Sequence, residues 1–82
     1  MSDKITKFLA RKLSAKQRAV IDEVWTKILS GDLTGLDAKK LQGRDFLYRV
    51  RVGRIRIIYF NDNESIRMIH IGYRDEQTYR DV

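Results

Sequence analysis

A twelve-residue stretch at positions 48–59, YRVRVGRIRIIY, constrains the fold more than any other part of the sequence. Apolar and basic side chains alternate on both sides of Gly53, as they do when successive residues of a β-strand point to opposite faces of a sheet. β-Branched and aromatic residues dominate both halves, and Gly53-Arg54 is a pair that a two-residue hairpin turn accepts. The stretch therefore predicts a β-hairpin with Val50 and Val52 on one face and arginines on the other.

The hairpin also concentrates positive charge. Residues 39–56 hold seven basic residues against one acidic residue, a net charge of +6 that equals the net charge of the whole chain. Like charges opposite each other on neighbouring strands destabilise a sheet by roughly 0.2–1 kcal/mol per pair unless an anion lies between them. Together with a pI near 9.9, this cluster favours a nucleic acid as the partner, with an acidic protein or a membrane surface as alternatives.

Length and composition exclude several other classes of protein. Eighty-two residues predict one domain, residues 1–82, with a small core. The chain has no cysteine and one histidine, which excludes disulfides, thiolate metal sites and His-rich zinc sites, so we expect no cofactor. No apolar run approaches the roughly 18 residues of a membrane span, and the N-terminus lacks the apolar segment of a signal peptide. We expect a cytoplasmic protein without a membrane partner.

Two amphipathic helices are predicted before the hairpin. The first carries Ile5, Phe8, Leu9 and Leu13 at helical spacing behind a candidate N-cap, Ser2. The second begins at the capping box formed by Ser14 and Gln17 and ends at Gly31. Its apolar stripe consists of Val20, Ile21, Val24, Trp25, Ile28 and Leu29.

The remaining segments complete the predicted fold. Residues 31–45 contain three glycines and indicate an irregular connection in which Lys40 and Leu41 could already be extended. Residues 61–64 indicate a polar turn, and residues 65–71 a third strand. The polar residues 72–82 indicate a turn or a short helix. We therefore predict an α+β fold in which two antiparallel N-terminal helices pack on a small, twisted antiparallel sheet of three to four strands.

Four sequence segments, in this order, carry a family resemblance. They are FLARKLSAKQ at residues 8–17, KKLQG at residues 39–43, YRVRVGRIRIIY at residues 48–59 and IGYRDEQTY at residues 71–79. The chain resembles the RelE/ParE superfamily of toxins from type II toxin–antitoxin systems over nearly its whole length. The resemblance implies two helices on one face of the sheet and a concave, basic opposite face. The family usually opens with a strand, which we expect to be absent or very short here, leaving a sheet edge that an antitoxin or a second copy can complete.

The resemblance implies a RelE-like activity. RelE-like members are metal-independent endoribonucleases, or mRNA interferases, that cut mRNA in the ribosomal A site and so inhibit translation. The implied partners are ribosome-bound mRNA with contacts to rRNA, and a cognate acidic antitoxin that covers the basic face in a heterodimer or heterotetramer. A ParE-like inhibitor of DNA gyrase without nuclease activity is the alternative, and an inactive module that binds RNA or a partner is a third hypothesis.

Cleavage of RNA without a metal makes defined chemical demands on a site. The RNA's own 2′-hydroxyl attacks the neighbouring phosphate, giving a cyclic phosphate and a free 5′-hydroxyl. The reaction needs a base for the 2′-hydroxyl, an acid for the leaving oxygen and positive charge beside the crowded phosphorus. Arginines meet the last demand, although a side-chain pKa above 12 makes arginine a poor general base.

Position by position, the resemblance assigns catalytic roles to five residues. Arg49 and Arg51 match the paired basic residues of the hairpin's first strand, and Arg56 matches the arginine of its second strand. Arg74 and Tyr79 match the arginine and the tyrosine of the family's C-terminal segment. We expect Arg56 and Arg74 to clamp the scissile phosphate. We expect Arg49 and Arg51 to hold the RNA backbone or assist proton transfer, and Tyr79 to act as a base, to stack on an RNA base or to anchor the tail.

Further candidates lie outside this set. Lys39, Lys40 and Arg44 are predicted RNA contacts, with an ordinary solvated side chain as the alternative. We assign Arg54, Arg67 and Arg80 to that solvated class. His70 lies in phase with Ile66 and Met68, which favours a packed or hydrogen-bonded histidine over a general acid.

Overall fold

Two helices precede a four-stranded antiparallel sheet, as the sequence predicts. The computed structural model describes residues 3–74. Its elements are α1 Asp3–Arg11, α2 Ala15–Ser30, β1 Asp37–Lys40, β2 Leu47–Val52, β3 Ile55–Asn61 and β4 Ile66–Tyr73. The strands lie in the order β1-β2-β3-β4, so that each pairs with its neighbour in sequence. The predicted α+β fold is confirmed.

The capping signals at both ends of α2 are confirmed. The hydroxyl of Ser14 accepts from the backbone N–H of Gln17 at 3.1 Å, and the Gln17 amide oxygen accepts from the Ser14 N–H at 2.9 Å. Gly31 ends the helix with φ 81°, a conformation in which its N–H donates to the Ile28 carbonyl at 3.1 Å. Ser2, the predicted cap of α1, lies outside the described residues.

The core lies between the helices and one face of the sheet. Ile21, Val24 and Ile28 of α2 are buried, and Val50 and Ile57 of the hairpin are fully buried in the same cluster. The predicted α2 stripe was too broad, because Val20 and Leu29 at its margins are exposed. Both helices bury the same sheet face, and no helix among residues 3–74 covers the other face.

The hairpin at residues 48–59 is confirmed in register and turn. Arg51 lies opposite Arg56 and Val52 opposite Ile55, so Gly53 and Arg54 form a two-residue turn. Gly53 has φ 58°, and Arg54 is not among the residues with positive φ, the sign pattern of a type II′ turn. The predicted alternation follows from this register.

The expectation of an irregular connection over residues 31–45 was wrong in part, because Asp37–Lys40 forms β1 at the edge of the sheet. The strand pairs with β2 and aligns Asp37 with Arg51 and Lys39 with Arg49. Its sequence, DAKK, holds one half-buried apolar residue, Ala38, and three exposed polar ones. Pairing with β2 extends this segment, which has little strand pattern of its own.

A β-bulge overturns the predicted phase of His70. Ile58 pairs with His70 and Tyr59 pairs with Met68, so Ile69 is an extra residue on β4. Met68 packs against the core, whereas His70 lies opposite Ile58 on the other face. An inserted residue reverses the alternation beyond it, and no residue pattern on β4 marks the insertion.

The edges of the sheet are β1 and β4. Within residues 3–74 the first element is α1, which begins at Asp3, and β4 pairs with β3 alone. Neither helix in this range combines the length and the apolar character needed to cross a membrane.

Candidate nucleic-acid interface

The sheet face that is turned away from the helices, here called the open face, carries the hairpin arginines. Arg51 and Arg56 lie directly opposite each other on β2 and β3. Arg49, two residues along β2, aligns with Lys39 on one side and with Ile58 on the other. The strict alternation of β2 and β3 therefore directs three arginines to one face, while Val50 and Ile57 between them anchor the strands in the core.

These arginines line a cleft of about 250 Å³, here called the basic cleft. Its lining residues are Lys39, Lys40, Leu41, Gln42, Arg49, Arg51 and Arg56. The end of β1 and the turn after it form one wall, since the Leu41 N–H donates to the Leu47 carbonyl at 2.9 Å and the Arg44 N–H to the Leu41 carbonyl at 3.3 Å. A cleft with five cationic side chains and no acidic one in its lining is suited to an anion.

Two neighbouring arginines of β2 have different surroundings. Nη1 of Arg49 donates to the backbone carbonyl and to Oδ1 of Asp37, both at 3.2 Å, and the Arg49 side chain is only 14% exposed. Nε of Arg51 is buried and has no hydrogen-bond partner among the described residues. Asp37 thus fixes Arg49 in place, whereas the Nε–H donor of Arg51 is left without a hydrogen bond within residues 3–74.

The structure places the other predicted site residues at different points. Arg74 is exposed at the end of β4, where its Nη1 donates to the Gly53 carbonyl at 3.1 Å and its backbone N–H to the Arg54 carbonyl at 2.7 Å. It lies at the hairpin turn and is not part of the cleft lining. Arg44 is exposed outside the lining as well. Tyr79 lies outside the described residues.

Two residues near the arginines were missed or misplaced by sequence reasoning. Asp37 was assigned to an irregular segment, although its alternation with Lys39 is a weak strand signal that fits the observed pairing. His70 was assigned to the core side, and the bulge puts it diagonally across from Arg56 on the open face. Among residues 3–74, no three His, Cys, Asp or Glu side chains are grouped so that they could hold a metal ion.

Comparisons with known proteins bear on the fold. No protein-family model matches the sequence, and a search of curated proteins gives no match. Among solved structures, the chain is similar to a chain in the crystal structure of the RelB-RelE antitoxin-toxin complex from Methanococcus jannaschii. The TM-score is 0.75 at 22% sequence identity, over 98% of this chain and 93% of that chain. Similarity at this level of identity shows a shared fold.

Proposed function

We propose that this protein is a RelE-like toxin of a type II toxin–antitoxin system, an endoribonuclease that cuts ribosome-bound mRNA without a metal ion. The observation that carries the proposal is the basic cleft, in which Arg51 and Arg56 oppose each other on the open face. The fold shared with a chain of the RelB-RelE complex supports it. The sequence resemblance to RelE/ParE toxins also supports it.

The two opposed guanidiniums suit the phosphate at which the chain is cut. Each guanidinium carries several N–H donors in a plane, which bind phosphate oxygens through short, charge-assisted hydrogen bonds. Attack by the 2′-hydroxyl raises the negative charge on those oxygens, so donors already in position stabilise the transition state more than the bound substrate. In this proposal Arg51 and Arg56 hold the reacting phosphate, and Arg49, fixed by Asp37, holds the adjoining backbone.

The lysines and Arg74 have supporting roles in this proposal. Lys39 and Lys40 are exposed on the cleft's rim, where they bind flanking phosphates or rRNA without reading sequence. Arg74 approaches the scissile phosphate from the hairpin turn. A guanidinium has five N–H donors, so Arg74 can keep its bond to the Gly53 carbonyl and still donate to RNA. Tyr79 is the proposed base, following the family resemblance.

Neutralisation follows from the same electrostatics. An acidic antitoxin segment laid over the basic cleft would pair with Arg51 and Arg56 and exclude RNA. We propose that the toxin is stored in this way in the cytoplasm, as a heterodimer or heterotetramer with its antitoxin. Release of the antitoxin would expose the cleft to ribosome-bound message.

A reconstituted translation reaction tests the proposal. Primer extension on the translated message would map cuts made by the wild type, Arg51→Ala, Arg56→Ala and the control Arg18→Ala, whose exposed side chain lies on α2. Loss of a donor that stabilises the transition state costs roughly 10²–10³ in rate, so the two cleft variants should cut at least that much more slowly while the control cuts normally.

Two outcomes would overturn the proposed function. The first is cutting by both cleft variants at the wild-type rate. The second is an uncut message in the presence of wild-type protein. A gyrase supercoiling assay run in parallel covers the alternative, since inhibition of supercoiling without message cleavage would indicate a ParE-like gyrase inhibitor instead.

A further inference from the structure

We propose that Phe46, Phe60 and Arg67, here called the aromatic platform, form a subsite that stacks a base of single-stranded RNA. The inference rests on the proposed function and adds a second contact point for the substrate on the same face. Nothing in the sequence resemblance assigns a role to these three residues.

The platform is a pair of rings backed by a guanidinium. The Phe46 and Phe60 rings meet edge to face, with centroids 5.9 Å apart and planes at 62°. Cζ of Arg67 lies 5.2 Å from the Phe60 centroid. Phe60 aligns with Leu47 on β2 and with Arg67 on β4, so the platform belongs to the open face. A flat apolar ring beside a cation is a surface on which nucleobases stack.

Phe46 adopts a backbone conformation that its packing does not explain. Its φ is 67°, in the left-handed region, where a bulky residue is a genuine outlier. Its carbonyl accepts from the Asn61 N–H at 2.8 Å, which fixes the segment beside β3. Phe46 is 47% exposed, so its side chain contributes little to the core. Strain of this kind persists at sites of function more often than elsewhere.

The platform lies in line with the basic cleft. Phe60 is four residues from Arg56 on the same strand and the same face, a separation of roughly 13 Å at 3.3 Å per residue. Arg49 aligns with Ile58, midway between them. A single strand that runs along β3 could thus place one phosphate between Arg51 and Arg56 and a nearby base against Phe46.

These observations favour RNA over a protein ligand for the platform. The platform has a cation of its own, Arg67, and shares the open face with the arginines of the basic cleft. A nucleic acid supplies both an aromatic face for the platform and anionic groups for the basic cleft.

Direct binding measurements test the subsite. The probe is a short, fluorescently labelled single-stranded RNA with 2′-O-methyl groups, which lacks the attacking hydroxyl and so stays intact. Phe46→Leu keeps an apolar side chain but removes the ring, and should weaken binding by about 5- to 150-fold, the range for loss of one base–aromatic stack. Phe46→Tyr keeps the ring, and Leu29→Ala changes an exposed side chain on α2, so both should bind as the wild type does.

Probes that lack a single base, at successive positions, identify what the ring contacts. At one position, removing the base should weaken RNA binding by the wild type about as much as Phe46→Leu does. Removing that same base should cause no further loss of affinity in the Phe46→Leu variant, because the stack is already absent. Losses that simply add at every position would overturn the subsite. So would a Phe46→Leu variant that binds RNA normally, including one that loses affinity only for an acidic peptide.

The subsite and the proposed function can fail separately. Normal message cutting by the Arg51→Ala and Arg56→Ala variants would remove the nuclease proposal whatever Phe46 does. Unchanged RNA affinity in Phe46→Leu, with cutting still dependent on Arg51, would remove the subsite alone.

Discussion

Two aspartates, Asp37 and Asp62, each accept hydrogen bonds that hold a local structure in place. Asp37 accepts from Arg49 beside the basic cleft, and Asp62 organises the turn between β3 and β4. Oδ1 of Asp62 accepts from the backbone N–H groups of Ser65 at 2.9 Å and Glu64 at 3.0 Å. These two hydrogen bonds favour the ionised carboxylate and hold the pKa of Asp62 below its ordinary value of 3.8.

The lowered pKa of Asp62 predicts a pH-dependent stability. A group whose pKa is lower in the folded state stabilises that state above its unfolded pKa, and the contribution is lost as the pH falls through the folded value. Asp62→Asn keeps an acceptor oxygen but cannot ionise. Thermal melting should therefore find Asp62→Asn less stable than the wild type at neutral pH, with the gap closing below the ordinary pKa of 3.8. A gap of constant size across this range would contradict the account.

Local signals define the helices, and long-range pairing defines the rest of the fold. The capping box involves only Ser14 and Gln17, which are three residues apart, so the sequence alone predicts it. The structure forms both of its hydrogen bonds. Strand β1 and the bulge at Ile69 depend on partners far along the chain. The contribution of a local signal, such as a helix cap, can be tested by substituting a single residue.

Ser14→Ala tests the N-terminus of α2. The change removes the hydroxyl that accepts from the Gln17 N–H and leaves that donor unsatisfied at the helix start. We expect a loss of about 1 kcal/mol in the free energy of unfolding, measured by urea denaturation. Ser14→Asp, which retains an acceptor at the cap, should be nearly as stable as the wild type. Equal losses in the two variants would argue against the cap as the cause.

The difference between local signals and long-range pairing explains how much of the fold could be predicted from the sequence. Periodicity and turn chemistry predict α1, α2, the hairpin and β4, because each signal lies within a few neighbouring residues. The segment DAKK carries one half-buried apolar residue, and its strand depends on hydrogen bonds to β2. The bulge at Ile69 arises from the register of β4 against β3, so the side on which His70 lies could not be predicted.

The candidate site, too, was predictable from the sequence only in part. Alternation along β2 and β3 predicts that Arg49, Arg51 and Arg56 share a face, and the structure brings all three into one cleft. The wall formed by Leu41 and Gln42 depends on how the turn after β1 folds back, which the residue pattern does not indicate. Bonds across the chain, such as that from Arg49 to Asp37, were likewise unpredictable.

The two faces of the sheet have different roles: one forms the hydrophobic core and the other carries the basic side chains of the cleft. One face is buried against the helices and supplies the hydrophobic core. The open face, which neither α1 nor α2 covers, carries Lys39, Arg49, Arg51 and Arg56. A one-sided distribution of this kind steers a polyanion to one surface, and salt should weaken that attraction.

Arginine side-chain NMR tests the central claim most directly, because the Nε–Hε group of Arg51 reports on its own hydrogen bonding. The wild-type protein is titrated with the uncleavable 2′-O-methyl RNA, and signals are assigned with single arginine-to-lysine variants. If a phosphate binds between Arg51 and Arg56, both Nε–Hε signals should shift saturably while that of Arg18 on α2 stays fixed. Saturable RNA binding with the Arg51 and Arg56 signals unmoved would contradict the account.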